Sequence, residues 1–307
     1  MTAILLNDPI FTDEAKARAY FEEQHWPNGP VCPHCGETER VYRLNGKAHR
    51  PGLVHCNACE GQFTVTTGTV MESSHLPLTK WALAFRLMAS SKKGISAHQL
   101  HRSLGITYKA AWFMAHRIRA AMTPADPAPL GGPETIVEVD ETEIGKSPKS
   151  RPRKTKNLKF VSLVERGGRV RSRRLTGAEG SIVPEIRKIV KEHLDPASFL
   201  HTDGYHAYRV PFIATKHEVV DHYKEFAKTA EDGTRVYTNS AEGYFSIFKR
   251  GLVGTYQHMS AQHLPRYLAE FDFRMSNRVR FGIDDTMRTE RAVKGAVGKR
   301  LTYRQPH

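Results

Sequence analysis

Apolar residues recur at helical spacing through the first third of the chain. Beyond residue 135 they shift to the alternating or continuous runs of strands. Residues 13 to 25 read as a short helix, ended by Trp26-Pro27-Asn28-Gly29. Thr79 to Ser90 carries Trp81, Phe85 and Met88 on one helical face. Ser96 is the expected cap of a second helix with Leu100 and Leu104, stopped at Gly105. Thr107 caps a third, with Ala111, Ala115, Ile118 and Met122 along one side. The Leu104-Gly105-Ile106-Thr107 turn between them has the composition of a helix-turn-helix.

Thr123 to Thr135, with four prolines and two adjacent glycines, reads as a linker. After it, Ile136 to Gly145 forms a strand with Val137 and Val139 on one face and Ile136, Glu138 and Asp140 on the other. Phe160 to Glu165 and Val170 to Leu175 form two more, joined through Gly167-Gly168, so the first three strands are expected as an antiparallel meander. Ser181 caps a helix with Ile182, Ile186, Ile189 and Val190, which leads to a buried strand over Ser198 to Thr202 ending at Asp203. A strand, a crossover helix and a second strand of this kind run parallel. His217 to Val220 is another short strand. Residues 238 to 253 form a helix with Asn239 as its cap, and Ser260 starts a last long helix with Leu264, Leu268, Phe271 and Met275 as its stripe. From Arg278 onward eight Lys/Arg face three acids with no core pattern.

Composition narrows the class. The 46 Lys+Arg outnumber the 32 Asp+Glu, for a formal net charge of +14, and this argues for a polyanionic partner. No run of about 18 apolar residues exists, so no membrane span is expected. The N-terminus lacks the basic-then-apolar order of a signal peptide, which points to the cytoplasm and its nucleoid. In a reducing compartment the four cysteines read as metal ligands. Cys32-Pro33-His34-Cys35 and Cys56-Asn57-Ala58-Cys59 are two C-x2-C knuckles separated by twenty residues, the spacing of a closed structural Zn2+ site in a small ribbon. His34, His49 and His55 are expected as surface residues outside that set.

The acids concentrate where the net charge would not predict them. Glu138, Asp140, Glu141 and Glu143 fall within six residues at a strand end. Such carboxylates repel one another unless a cation or a proton intervenes. Asp140 and Asp203 each end a strand, and Glu242 lies in the first turn of a helix. Neighbouring strands would bring the two aspartates to one sheet edge, and the helix would bring the glutamate across. That set suits Mg2+, or Mn2+, and in-line phosphoryl displacement. Lys249, two helical turns beyond Glu242 with Arg250 beside it, is positioned for phosphate. The bland role of Glu242 is to complete a capping box with Asn239. On the third early helix, Tyr108, Lys109, His116, Arg117 and Arg119 lie off the apolar stripe, as a groove-entering helix requires. Lys146 to Lys159 holds seven basic residues and no acid, Lys154 and Lys156 among them, and suits phosphate backbone.

The segments CPHCG, CNACEGQFTVTTGTVME, VEVDETEIG, HTDGYHAY, TNSAEGYFSIFKRG and YLAEFDFR occur in this order between Cys32 and Arg274. In that order they resemble bacterial insertion-sequence transposases of the DDE superfamily, in particular the ISXO-like group with an N-terminal zinc ribbon. The resemblance implies an α/β fold whose RNase H-like mixed-sheet catalytic domain follows a zinc ribbon and a helix-turn-helix. It implies Asp140, Asp203 and Glu242 as the triad and Lys249 as its accompanying lysine. His222 also matches a histidine of the group. Its third triad position is sometimes described as asparagine, which makes Asn239 a rival. Glu242 is preferred because a carboxylate binds Mg2+ better than an amide does.

The expected organisation is an N-terminal helical segment (1–26), a zinc ribbon (27–75), a DNA-binding helix-turn-helix region (76–122), a linker (123–135), a catalytic domain (136–277) and a basic C-terminal tail (278–307). The function implied is cleavage of double-stranded DNA at transposon ends and joining of 3′-hydroxyls to target DNA, by a dimer or larger assembly and without a membrane partner. Two other readings share these features: a DNA-binding regulator with an inactive third domain, and an RNase H-like nuclease that cuts without joining.

Overall fold

Helices and a small ribbon make up the first part of the chain, and a five-stranded sheet the second. The computed structural model describes residues 5–125, 127–145, 158–177, 180–208, 214, 216–221 and 224–302. In chain order the elements are α1 (Glu14–His25), β1 (Val41–Arg43), β2 (Val54–Cys56), β3 (Gln62–Phe63), α2 (Leu78–Ser90), α3 (Ala97–Leu104), α4 (Tyr108–Ala121), β4 (Ile136–Ile144), β5 (Leu158–Glu165), β6 (Val170–Leu175), α5 (Val183–His193), β7 (Phe199–Asp203), β8 (Lys216–Val220), β9 (Lys228–Thr229), β10 (Arg235–Val236), α6 (Asn239–Gly251), α7 (Leu264–Ser276) and α8 (Asp285–Lys294). They form two units, Met1–Ala125 with Gly282–His307, and Asp126–Phe281.

The second unit is built on a mixed sheet of order β6-β5-β4-β7-β8. β4, β5 and β6 form the antiparallel meander, while β4 pairs parallel with β7, and β7 with β8. Strand alternation sends Val137, Val139, Val161, Leu163 and Leu200 to the α5 side, where Ile186 and Val190 meet them. Phe160 and Val164 point the other way, against Phe245 and Phe248 of α6 and Leu268 and Phe271 of α7. The Phe160 ring lies 5.5 Å from that of Phe245 and 5.0 Å from that of Phe248, a fully buried contact. Truncating such a ring costs about 3–5 kcal/mol.

Part of the expected linker belongs to this core. Leu130 is buried, donates its N–H to the His193 carbonyl (2.7 Å) and accepts from Asp195 N–H (2.8 Å). Gly131 has φ +97°, and a Cβ there would fall 1.9 Å from Ser198 Oγ, so no side chain fits. The proline-glycine composition marks irregular backbone correctly, but irregular backbone can still be packed.

In the first unit, the expected caps of two helices are present. Ser96 Oγ accepts from Gln99 N–H (3.1 Å) and Thr107 Oγ1 from Ala110 N–H (3.2 Å), while Gly105 ends α3 at φ +62°. The Glu14 carboxylate of α1 takes the Leu78 and Thr79 N–H groups at the start of α2 (2.9 and 3.3 Å). The C-terminal stretch is not a coreless tail. Asp284 Oδ1 caps α8 by accepting from Met287 N–H (2.8 Å), and α8 buries Thr286, Arg288, Thr289, Ala292 and Val293. Val70 N–H then donates to the Ala296 carbonyl (3.1 Å) and Gly298 N–H to the Gly68 carbonyl (2.8 Å). The buried face of α8 consists of threonines, an arginine and small apolar residues. A hydrophobic stripe is therefore absent from the sequence although the face is packed. Among the described residues no helix is long and apolar enough to cross a membrane.

Candidate metal centre and active site

The ribbon gathers its thiols by local turns. Gly36 N–H donates to the Cys32 carbonyl and Cys56 N–H to the Gly61 carbonyl (both 2.9 Å), so each knuckle closes on itself. The antiparallel β1-β2 and β2-β3 pairs then hold the knuckles together, with Trp26 edge-on to Phe63 behind them. Cys32 Sγ lies 3.7 Å from Cys59 Sγ, and Cys35 Sγ 3.7 Å from Cys56 Sγ. All four sulfurs fall within 4.8 Å of one another. A disulfide would need about 2 Å. Four thiolates on a tetrahedron about 2.3 Å from Zn2+ stand about 3.8 Å apart, so this donor set fits zinc. His34 and His49 are exposed, and His55 pairs with Glu60 (3.3 Å) and packs on Tyr42.

The acidic strand end is assembled by the sheet. In the parallel β4-β7 register Val139 lies beside Thr202, so Asp140 and Asp203 follow at the same edge. The four acids of this strand meet four different environments. Glu138 is wholly buried, and its carboxylate accepts from Arg166 Nε (3.0 Å) and from the first residues of α6. Asp140 is half-buried, with Oδ1 accepting from Glu141 N–H (2.8 Å). Glu141 Oε2 accepts the Tyr208 hydroxyl (2.6 Å). Glu143 is exposed and pairs with Lys159 (3.4 Å).

Electrostatics single out Asp140. Burial pushes its carboxyl up to about 8, with further increments from the charges of Asp203, Glu141 and Glu242 and an opposing pull from the Glu141 N–H. Burial also raises Glu141, against the Tyr208 hydroxyl that lowers it. Asp203 Oδ1 accepts from Tyr205 N–H (3.0 Å), which fixes the turn after β7. Glu242 is exposed in the first turn of α6, and Lys249 and Arg250 are exposed in its last. The cap of α6 is Thr238, one residue earlier than expected, and Asn239 is its first helical residue. The thiols are the only group of three or more metal-type side chains among the described residues that is gathered so closely.

Two family profiles match this chain. The ISXO2-like transposase domain matches over residues 126–276 and the transposase zinc-ribbon domain over residues 12–62. The chain carries an ISXO2-like transposase domain behind a transposase zinc ribbon. A relative from Halobacterium salinarum, described as an uncharacterized protein in transposable element ISH50, is 27% identical over 86% of this chain and 91% of its own length.

Part of the expected DNA-facing set requires correction. Tyr108 and Lys109, at the start of α4, are exposed. His116, Arg117 and Arg119 are buried. Arg117 Nε donates to the Leu301 carbonyl (3.2 Å) and its guanidinium lies over the Phe113 ring (4.6 Å), while His116 packs on Trp112. The C-terminal segment covers the last turns of α4, and that long-range contact has no signature in the helix's own sequence. Lys154, Lys156 and His222 lie outside the described residues. Sequence reasoning missed Arg166. Its position before a Gly-Gly turn suggests only a strand end, yet it reaches Glu138, His201 and the carbonyls of Arg235 and Tyr237.

Proposed function

We propose that this chain is a DDE transposase that binds the terminal repeats of its element, cuts there, and joins the freed 3′-hydroxyl to target DNA. The observation that carries the reading is the parallel β4-β7 register, which sets Asp140 and Asp203 at one sheet edge, where burial and the neighbouring acids push the Asp140 carboxyl up to about 8. Carboxylates held in such conflict fit a hard divalent cation, Mg2+ or Mn2+, with Asp140, Asp203 and Glu242 as its holders. Bound there, the cation supplies charge neutralisation and Lewis acidity for phosphoryl transfer.

In cleavage a water oxygen bonds to phosphorus and the 3′ oxygen leaves. In joining that 3′-hydroxyl gives up its proton and bonds to a target phosphorus, and the target's 3′ oxygen leaves. The chain's own part is positioning and charge. Lys249, with Arg250 beside it, holds a phosphate from the end of α6. An RNase H-like domain is supported by the strand order, with an antiparallel meander on one side of β4 and parallel strands on the other. The α3-turn-α4 unit acts as the helix-turn-helix, with Tyr108 and Lys109 toward the groove. Lys154 and Lys156 contact phosphate. Pairing two element ends calls for a dimer or larger on DNA, in the cytoplasm at the nucleoid.

The test is one Mg2+ cleavage assay comparing Glu242→Gln with Asn239→Ala on DNA carrying the element's end. The Gln variant is expected to lose about 10³-fold or more in cutting, because several kcal/mol of charge stabilisation disappear. Its binding to the end should be unchanged. The Ala variant should cut normally and lose less than about 0.5 kcal/mol of stability, since Asn239 does not occupy the cap position. Normal cutting by the Gln variant with a dead Ala variant would assign the third ligand to Asn239. Cutting without joining would leave a nuclease, and binding without cutting by the wild type a regulator.

A further inference from the structure

The helix that carries Glu242 is held at its start by a side chain from the strand that carries Asp140. Glu138 Oε2 accepts the backbone N–H groups of Ser240 (2.7 Å) and Ala241 (3.2 Å), and its Oε1 accepts from Ser240 Oγ (3.0 Å) and Arg166 Nε (3.0 Å). Both N–H groups belong to the first turn of α6, where a helix leaves donors without internal partners. A carboxylate there also suits the helix dipole. Thr238 makes no side-chain cap bond, so Glu138 supplies from 102 residues away what a local cap supplies elsewhere.

Arg166 extends the attachment. Its Nη1 donates to the Arg235 carbonyl (3.0 Å), its Nη2 donates to the Tyr237 carbonyl (3.3 Å) and lies 3.2 Å from His201 Nδ1, and its guanidinium stacks 3.7 Å over the Tyr237 ring. One cation therefore joins the end of β5, β7 and the segment entering α6. Glu138 and Asp140 lie two residues apart on one face of β4, about 7 Å along the strand. Ser240 and Glu242 lie two residues apart on α6, about 3 Å along its axis. Fixing Ser240 on Glu138 therefore fixes where Glu242 arrives relative to Asp140.

We propose that Glu138 and Arg166 are positioning residues that set the distance between Glu242 and the aspartates, and so the affinity of the acidic site for a divalent cation. This rests on the reading of Glu242 as a metal ligand. Residues that orient ligands from behind typically change metal affinity about 10–100-fold when altered.

The experiment measures Mn2+ binding to the full-length protein from the free-ion electron paramagnetic resonance signal, with thermal unfolding in chelator as the control. Glu138→Asp keeps the charge and shortens the reach, and Arg166→Lys keeps the charge and loses the fork. Either variant is expected to weaken Mn2+ binding about tenfold or more while its metal-free melting temperature stays within about 5 °C of wild type. Neither should add to Glu242→Gln, because the pair acts through that side chain. Wild-type Mn2+ affinity in a folded variant, or full additivity with Glu242→Gln, overturns the proposal. Ser240→Ala, which removes only the hydroxyl bond, is expected to lose affinity in the same direction, and it decides the matter if the other two fail to fold. Undiminished Mn2+ binding by Glu242→Gln itself would instead overturn the ligand assignment.

Discussion

The cysteine site and the acidic site gather their side chains in opposite ways. The four thiols come from two tight turns within 28 residues of chain, and short hydrogen bonds inside each turn bring the sulfurs to tetrahedral spacing. Asp140 and Asp203 come from β4 and β7 and are set at one sheet edge by parallel strand pairing, while Glu242 stands on α6, whose first turn is held by the buried Glu138 of β4. The thiol site is closed, with four protein ligands and no open position, which suits a structural role. At the acidic strand end burial, and then the charges of Asp203, Glu141 and Glu242, push the Asp140 carboxyl up. Local turns suffice when a metal only has to hold a small piece together. The acidic strand end is assembled instead from elements far apart along the chain.

The largest expected effect separates the two by metal removal. Binding of structural zinc to small sites is worth about 10–16 kcal/mol, which is folding free energy. Chelation, or Cys56→Ser, should therefore unfold the ribbon, and metal analysis of the purified reduced protein should find one zinc per chain. Asp140→Asn should leave that zinc in place. Absence of zinc from folded protein would break the comparison at its firmer end.

A smaller effect comes from pH, with opposite signs at the two sites. Protons compete with metal for thiolates, so the ribbon should lose stability as pH falls. The Asp140 pKa is raised, so the metal-free folded unit binds a proton that the unfolded chain has released. Its contribution to stability is full below about 4 and is lost as pH rises through about 8. Asp140→Asn should flatten this slope and raise the metal-free melting temperature at pH 8 by about 5 °C, at about 2–4 °C per kcal/mol. Mg2+ should stabilise the wild type at pH 8 and the Asn variant much less. An unchanged slope in calorimetric scans across pH 5 to 8 would remove the charge conflict from the account.

The smallest effect concerns α4. Arg117→Ala should cost about 1–2 kcal/mol through the lost bond to the Leu301 carbonyl and the lost packing on Phe113. It should leave preference for the element's ends unaltered in a binding assay at fixed salt, whereas Lys109→Ala should weaken it. A specificity change in Arg117→Ala with intact stability would return that residue to the groove.

Much of the fold was legible because its signals are local. The caps Ser96 and Thr107, the Gly105 stop, the alternation that sends Val137 and Val139 away from Glu138 and Asp140, and the order of the meander all depend on near neighbours along the chain. The paired knuckles are equally local, and their thiol spacing follows once each turn closes. The errors share a different cause. Arg117, Arg119 and the stretch after Gly282 read as solvent-facing because charge and absent hydrophobic stripes were the only clues. Their burial depends on a C-terminal helix returning to the first unit. Leu130 and Gly131 read as linker because composition reports backbone irregularity and is silent on packing.

The amino-acid order alone determined which residues could carry chemistry: thiols at metal spacing, acids at strand ends, a basic excess for a polyanion. These follow from side-chain type and short-range periodicity. Only the tertiary structure decided how four acids on one strand divide their roles. Glu138 is sealed inside against Arg166 and the start of α6, the Asp140 carboxyl is pushed up by burial and by neighbouring acids, Glu141 is tied to Tyr208, and Glu143 is turned outward to Lys159. Those fates depend on which distant element covers each position, and burial and partner charge belong to the folded neighbourhood of a residue.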